Sequence, residues 1–264
     1  MTDQYTHGHH ESVLRSHRSR TVENSAAYLI GHLRPGVDVL DVGCGPGTIT
    51  VDLAARVAPG RVIGLDREAE IVDQARAIAG MVSNVTFQTG DVYALEFADA
   101  SFDVVHAHQV LQHLTDPVGA LREMRRVCKP DGVVAARDSD YAAMTWYPQI
   151  PALTRWLSIY HDVTRSNGAE ADAGRRLRAW ALAAGFSDVR SSASAWCYST
   201  PEEREWWSGI WAERVVASRF GEQAVARGFA TADDLQAIAA GWQEWNADDD
   251  GWFGILHGEI LCTP

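Results

Sequence analysis

Three acidic residues and three glycines carry the most specific chemistry in this sequence. Val39-Leu40-Asp41-Val42-Gly43-Cys44-Gly45-Pro46-Gly47 is an apolar run that meets a glycine at every second position, with Asp41 two places before the first. Glycine lets the backbone turn tightly there and leaves it bare for a ligand. Ile49 and Leu53 follow at helical spacing, so the segment is a strand–turn–helix corner of nucleotide-binding type. Arg61-Val62-Ile63-Gly64-Leu65-Asp66 is a second apolar run, whose acid falls 19 residues after Gly47, placed to accept hydrogen bonds from ribose hydroxyls. Val85-Thr86-Phe87-Gln88-Thr89-Gly90-Asp91-Val92 alternates as a third strand and closes on another acid. Any one of these acids, taken singly, reads more readily as a loop carboxylate or a helix cap than as a ligand contact. Three in register after three successive strands read as one ligand site. A fourth strand, Phe102 onward, delivers His106, His108 and then His113 to the end where a parallel sheet opens, the place for a group that orients or deprotonates a reacting molecule.

A dinucleotide site would read G-x-G-x-x-G, but the third glycine's position holds Thr48. The pattern instead resembles motif I of the class I S-adenosylmethionine-dependent methyltransferases, an acidic residue followed by Gly-x-Gly-x-Gly. Leu111-Gln112-His113-Leu114-Thr115-Asp116-Pro117 resembles that family's L-x-H-L-x-D-P string. Within the class the chain is similar to the ubiquinone/menaquinone-biosynthesis-like small-molecule group. The resemblance is good over residues 37–138 and weaker as far as Phe186. It implies S-adenosylmethionine as cofactor, leaving as S-adenosylhomocysteine. Asp41, Gly43, Cys44, Gly45, Asp66, Arg67, Gly90, Asp91, Val92, His108 and Gln109 would hold it. Asp41 would meet the ammonium end directly or through water, Asp66 the ribose, and Asp91 the adenine amino group, with the backbone of Val92 against the ring.

The reaction so implied is an in-line displacement, which needs alignment above all and in some cases a base. His108 and His113 are the catalytic candidates. Each also has a structural reading: His113 as a hydrogen-bonded anchor of its loop, His108 as part of a segment that meets the cofactor through backbone. Asp138, Asp140 and Tyr141, after the fifth strand, are further substrate-side candidates, Asp138 doubling as a possible cap. A catechol-type magnesium site would want acids after both the fourth and fifth strands, and the fourth ends in His-Ala-His-Gln, so no metal is expected.

Apolar runs near 38–43, 61–66, 84–89, 103–107 and 132–138 alternate with helical patterns near 48–58, 68–79, 117–128 and 172–184. That alternation means an α/β fold, a doubly wound Rossmann-like, mostly parallel sheet. Ser187 to Tyr198 would be its sixth strand and Phe253 to Cys262 a seventh, antiparallel one. Residues 1–20 are polar and hold His7, His9, His10 and His17, the composition of a flexible terminus. Ala26, Ala27, Leu29, Ile30 and Leu33 then make a helical stripe. Residues 1–36 are thus an N-terminal lid segment and helix, 37–200 with 250–264 the cofactor-binding domain, and 201–249 a helical cap insertion. Thr200-Pro201-Glu202-Glu203 has the form of a capping box with proline at the first helical position, and Thr231-Ala232-Asp233-Asp234 resembles a second such start, predicting two helices. Six of the ten tryptophans fall in residues 201–252, either as core for the added helices or as the wall of an aromatic-lined pocket.

The net charge of −12, from 23 basic and 35 acidic residues, argues against a nucleic-acid substrate, whose phosphates demand neutralisation. The four scattered cysteines point to a reducing compartment. No run of about 18 apolar residues exists to span a membrane, and the terminus has no signal-peptide core, so the expectation is a cytoplasmic protein. The reading is methyl transfer to an oxygen, carbon or nitrogen of a small apolar, aromatic metabolite. Two alternatives stand beside it: a catalytically silent S-adenosylmethionine-binding sensor or partner subunit, and, lower, a nicotinamide-dependent oxidoreductase. Oligomeric state is not written in the sequence.

Overall fold

The computed structural model describes residues 3–8 and 10–264, so His9 of the histidine-rich tract lies outside it with Met1 and Thr2. The chain opens with α1 (Glu11–Arg18), one-turn α2 (Val22–Ser25) and a 3-10 stretch, Ala27–His32. There follow β1 (Val39–Val42), α3 (Thr48–Val57), β2 (Val62–Asp66), α4 (Ala69–Ala79), β3 (Val85–Thr89), β4 (Phe102–His108), α5 (Pro117–Val127) and β5 (Cys128–Ser139). The second half holds β6 (Thr145–Tyr147), α6 (Pro151–Ser166), α7 (Leu177–Ala183), β7 (Asp188–Tyr198), α8 (Pro201–Ala217), α9 (Arg219–Ala226), α10 (Ala232–Ala247) and β8 (Trp252–Thr263).

β3, β2, β1, β4 and β5 lie side by side in parallel, and β8 runs antiparallel beside β5. β7 covers the other edge of β8 along its whole length. The sheet is therefore mostly parallel and Rossmann-like with an antiparallel last strand, as expected. It has eight strands rather than seven, because the three-residue β6 extends the β5 side by pairing with Trp252–Gly254. Successive residues feed opposite faces: Val39 and Val104 join the core with Ile49 and Phe87, while Leu40 and Val105 join the core with Leu121 and Met124.

Two N-terminal expectations are corrected. The stretch read as a flexible terminus contains α1, with Ser12, Val13, Leu14 and Ser16 buried. The apolar stripe after it is no continuous helix but α2, closed by a Thr21–Asn24 capping box, and a 3-10 stretch. Burial of Val22, Ala26 and Leu29 against α3 residues and the Val22 N–H bond to Asp52 (2.7 Å) override the local periodicity.

The capping boxes at Thr200/Glu203 and Thr231/Asp234 are formed. Residues 201–249 hold three helices, since Ser218 ends α8 and caps α9. α6, not anticipated, packs with them, and Trp156, Trp207, Trp211, Trp242, Trp245 and Phe253 form one core.

Candidate functional site

The glycine corner opens one wall of a cavity of about 1040 Å³. Gly43 and Gly45 have φ of 66° and 54°, a left-handed backbone that side chains strain. A Cβ on Gly43 would meet Val110 at 2.4 Å, whereas one on Gly45 would make only ordinary van der Waals contact with the His17 ring at 3.8 Å. Parallel pairing stacks the ends of β1, β2 and β4, and the segments after β2 and β3 bring Asp66, Arg67, Gly90, Asp91 and Val92 to the same rim. Every residue named above as a cofactor holder lines this one cavity, and His113 joins them.

Their side chains are not equally available. Asp41 is buried, its oxygens engaged by Thr50 (2.6 Å) and His106 Nδ1 (2.8 Å). It braces the corner from behind, and any ligand contact falls to its remaining lone pairs. The Asp66 carboxylate accepts from the N–H of Gly45 (3.0 Å) and of Glu68 (3.1 Å). Asp91 is exposed and accepts from Tyr93 N–H at 2.9 Å. Arg67 donates to the Asp3 carbonyl (2.9 Å), so its guanidinium ties down the N-terminal segment. Burial raises the Cys44 thiol well above its ordinary pKa, which makes it a neutral wall element.

A second cavity, about 420 Å³, adjoins the first and shares Tyr5, His17, Arg20, Gln109 and His113 with it. Its other walls come from β7 and α8, including Trp196, Tyr198, Trp206, Trp207 and Trp211, and from Tyr141. Gln109 stands at the junction with φ of 54°, an unusual conformation for a side-chain-bearing residue and one that clusters at functional sites. Its Oε1 accepts from Arg20 (2.6 Å) and its Nε2 reaches Ser139 (2.9 Å) and His257 (2.9 Å).

His108 and His113 are neutral. Burial, then the nearby Arg20, lowers His113 to about 3. Burial lowers His108 well below its ordinary value, with Arg20 and Arg137 adding to it. Hydrogen bonding fixes the His113 tautomer. Gln112 Oε1 accepts from Ser139 N–H (3.0 Å), so its amide nitrogen donates to His113 Nε2 (3.0 Å), which leaves the proton on Nδ1. That Nδ1, and both ring nitrogens of His108, have no protein partner among the described residues.

Two substrate-side expectations fail. Asp138 and Asp140 line neither cavity. Asp140 is held bidentate by Arg175 (2.5 and 2.6 Å). Asp138 is fully buried, accepts from Gln112 N–H (3.0 Å) and is pushed up to about 8 by burial. Tyr141 alone of the three faces a cavity. Sequence reasoning missed Tyr5, His7, Arg20 and Arg214, all of which line the smaller cavity. A buried aromatic–histidine set inside a polar N-terminal tract has no periodicity to reveal it.

A family model described as a methyltransferase domain matches residues 33–194. The chain belongs to this methyltransferase family. It is a class I S-adenosylmethionine-dependent methyltransferase. An uncharacterized methyltransferase of Schizosaccharomyces pombe is 35% identical over 98% of this chain and 97% of its own length. Among solved structures, phosphoethanolamine N-methyltransferase 2 of Haemonchus contortus, in complex with phosphomonomethylethanolamine and S-adenosylhomocysteine, is similar in fold at 18% identity. It has a TM-score of 0.57 over 92% of this chain and 52% of that one. The YcgJ protein of Bacillus subtilis gives a TM-score of 0.57 at 22% identity, over 90% and 98% of the two chains. The methyltransferase's larger cavity fits its cofactor in chemistry: side-chain-free backbone at Gly45 opens toward it, and acids stand at the end of β2 and after β3. No helix among the described residues is long and apolar enough to cross a membrane.

Proposed function

We propose that this enzyme methylates a small aromatic metabolite seated in the 420 Å³ cavity, with the cofactor in the larger one. The observation that carries the reading is the shared wall, because methyl donor and acceptor must meet across a boundary where both cavities open. S-adenosylmethionine, when bound, supplies the electrophilic methyl group on its sulfonium. Asp66 and Asp91 take its ribose and adenine ends, and the bare backbone of Gly43 to Gly45 lies along its amino-acid tail. Trp196, Trp206, Trp207 and Trp211 offer flat apolar surface to an aromatic acceptor and exclude water.

His113 serves the acceptor as a hydrogen-bond donor through Nδ1–H, orienting its nucleophilic atom; its Nε2 lone pair is already committed to Gln112. His108, neutral and facing the larger cavity, is the group with a free lone pair for the proton an acceptor would release. Residues 1–36 act as the lid of both cavities, and 201–249 as the cap over the acceptor, with residues 37–200 and 250–264 as the cofactor domain. The test is turnover of methyl-labelled cofactor against a panel of phenols, quinones, aromatic acids and amines. Label transferred to an aromatic member, and lost with Trp207→Ala in the cap, supports the reading. Transfer only to non-aromatic acceptors contradicts it.

A further inference from the structure

The smaller cavity is lined by two arginines that have no carboxylate partner among the described residues, in a protein with 35 acidic and 23 basic residues. Arg214, on α8, is 4% exposed. Its guanidinium donates to the Ser12 carbonyl (3.0 Å) and Ser16 Oγ (2.9 Å) and stacks over Trp211 at 4.6 Å. All three neighbours are neutral. Its Nε has no partner. The adjacent Glu213 is turned away and engaged by Arg15. Arg20 donates to the neutral Gln109, lies 5.8 Å from the Trp196 ring, and also leaves its Nε unpartnered.

The one carboxylate among the lining residues is Glu203, whose Oε2 accepts from both Ser199 and Thr200 N–H at 3.0 Å. It sits about three turns from Arg214 along α8. The remaining titratable groups facing the cavity cannot neutralise an arginine. Burial pushes Tyr5 up to about 12 and raises Tyr141 and Tyr198, while His7, His17 and His113 are lowered and neutral. A buried guanidinium without a counter-charge is costly. Loss of water around the half-buried Arg20 and the like charge of Arg214 both work against holding Arg20 ionised. A buried and a half-buried guanidinium lining one cavity are what a site for an anion looks like before the anion arrives.

We propose that the acceptor is an aromatic acid, its carboxylate received by Arg214 and Arg20 while its ring lies on the tryptophan wall. This rests on the aromatic-acceptor reading above and narrows it to an anionic substrate. Arg214 also fastens α1 to α8 through Ser12 and Ser16, so the residue that would receive the carboxylate already holds the N-terminal lid against the helical cap.

The experiment is a calorimetric titration of the full-length, S-adenosylhomocysteine-saturated protein with two matched pairs: benzoate against benzamide, and indole-3-acetate against indole-3-acetamide. Each pair keeps the ring and removes only the charge. A charge-assisted hydrogen bond is worth ~1.5–3 kcal/mol, so the acids should bind about tenfold or more tighter than the amides. Arg214→Gln and Arg20→Gln should bring acid affinity down toward that of the amide while leaving the amide little changed. Equal binding of acid and amide to the unmodified protein overturns the inference and leaves the aromatic reading intact, and this comparison needs no variant to fold. Discrimination that survives in both variants overturns the assignment to these arginines. If neither ring series binds while S-adenosylhomocysteine does, the aromatic-acceptor reading itself fails and takes the inference with it.

Discussion

His113 shows how a single proton position decides a role. Its Nε2 is an acceptor for Gln112, whose own orientation is fixed by the Ser139 N–H, and burial holds the ring neutral with a pKa lowered to about 3. A group of that kind donates a hydrogen bond across the whole physiological range and is not a titrating base. The expected kcat/KM profile therefore has no acid limb near pH 6.5 that disappears in His113→Ala. The alanine variant should lose activity ~10- to 100-fold, the worth of a hydrogen bond left unmade. His113→Asn, which keeps an N–H where Nδ1 stood, should recover a good part. A limb at pH 6.5 abolished by either variant would show that His113 titrates in catalysis. At this scale the sequence revealed Asp41, Asp66, Asp91 and the glycines, because strand ends confine them to one rim. It could not reveal that Asp41 is spent on Thr50 and His106, or that Arg67 is spent on Asp3. Those partners come from elements distant in sequence.

The elements divide into a sheet that positions the cofactor and a helical layer that shapes the acceptor cavity. Strand and helix limits of the first were readable from period and turn chemistry, and Thr200 and Thr231 cap the helices they were expected to start. α6 has the helical spacing Leu153, Trp156, Tyr160, Val163, all buried. Nothing local told that it would join α10 rather than the sheet. Trp156 is fully buried between Trp211 and Trp242, with ring centroids at 4.5 and 5.1 Å. Trp156→Ala should cost ~3–5 kcal/mol of stability. Thr200→Ala, which removes a cap while leaving the core intact, should cost ~1 kcal/mol. Denaturant melts of the two variants check the order; equal losses would mean that the tryptophan core is not what holds the layer together. The N-terminal segment was the least legible. Its contacts, such as Thr6 O with Gln223 and Arg15 with Glu213, are made only once the helical layer exists.

The whole molecule carries an acid-sensitive set of buried and half-buried neutral histidines. His7, His17, His108 and His257 are lowered well below 6.5, and His113 to about 3, burial being the first cause in each. The unfolded chain takes up these protons at about pH 6.5 and the folded one does not. Their contribution to stability is thus complete above that pH and falls as acidity increases toward the folded values, at up to ~1.4 kcal/mol per pH unit for each histidine. Asp138 has the opposite sign. Its folded value of about 8 lies above its ordinary 3.8, so its contribution is full below 3.8 and is lost as pH rises through 8. Thermal midpoints should fall steeply below pH 6.5. Asp138→Asn should raise the midpoint at pH 8 relative to the parent, by about 2–4 °C for each kcal/mol recovered. An acid side that stays flat to pH 4.5, or an asparagine variant that melts lower at pH 8, would contradict these assignments.

The central claim is that the glycine corner and the two acids beyond it form one cofactor site. Asp91 offers the cleanest probe, being exposed with its carboxylate accepting from Tyr93 N–H alone among the described residues, so its loss spares the fold. Calorimetric titration of S-adenosylmethionine into the parent protein and Asp91→Ala should give one site per chain. The variant should bind ~10- to 100-fold more weakly, the worth of a charged hydrogen bond. Equal affinity in the two proteins, or no binding to the parent, would contradict the account.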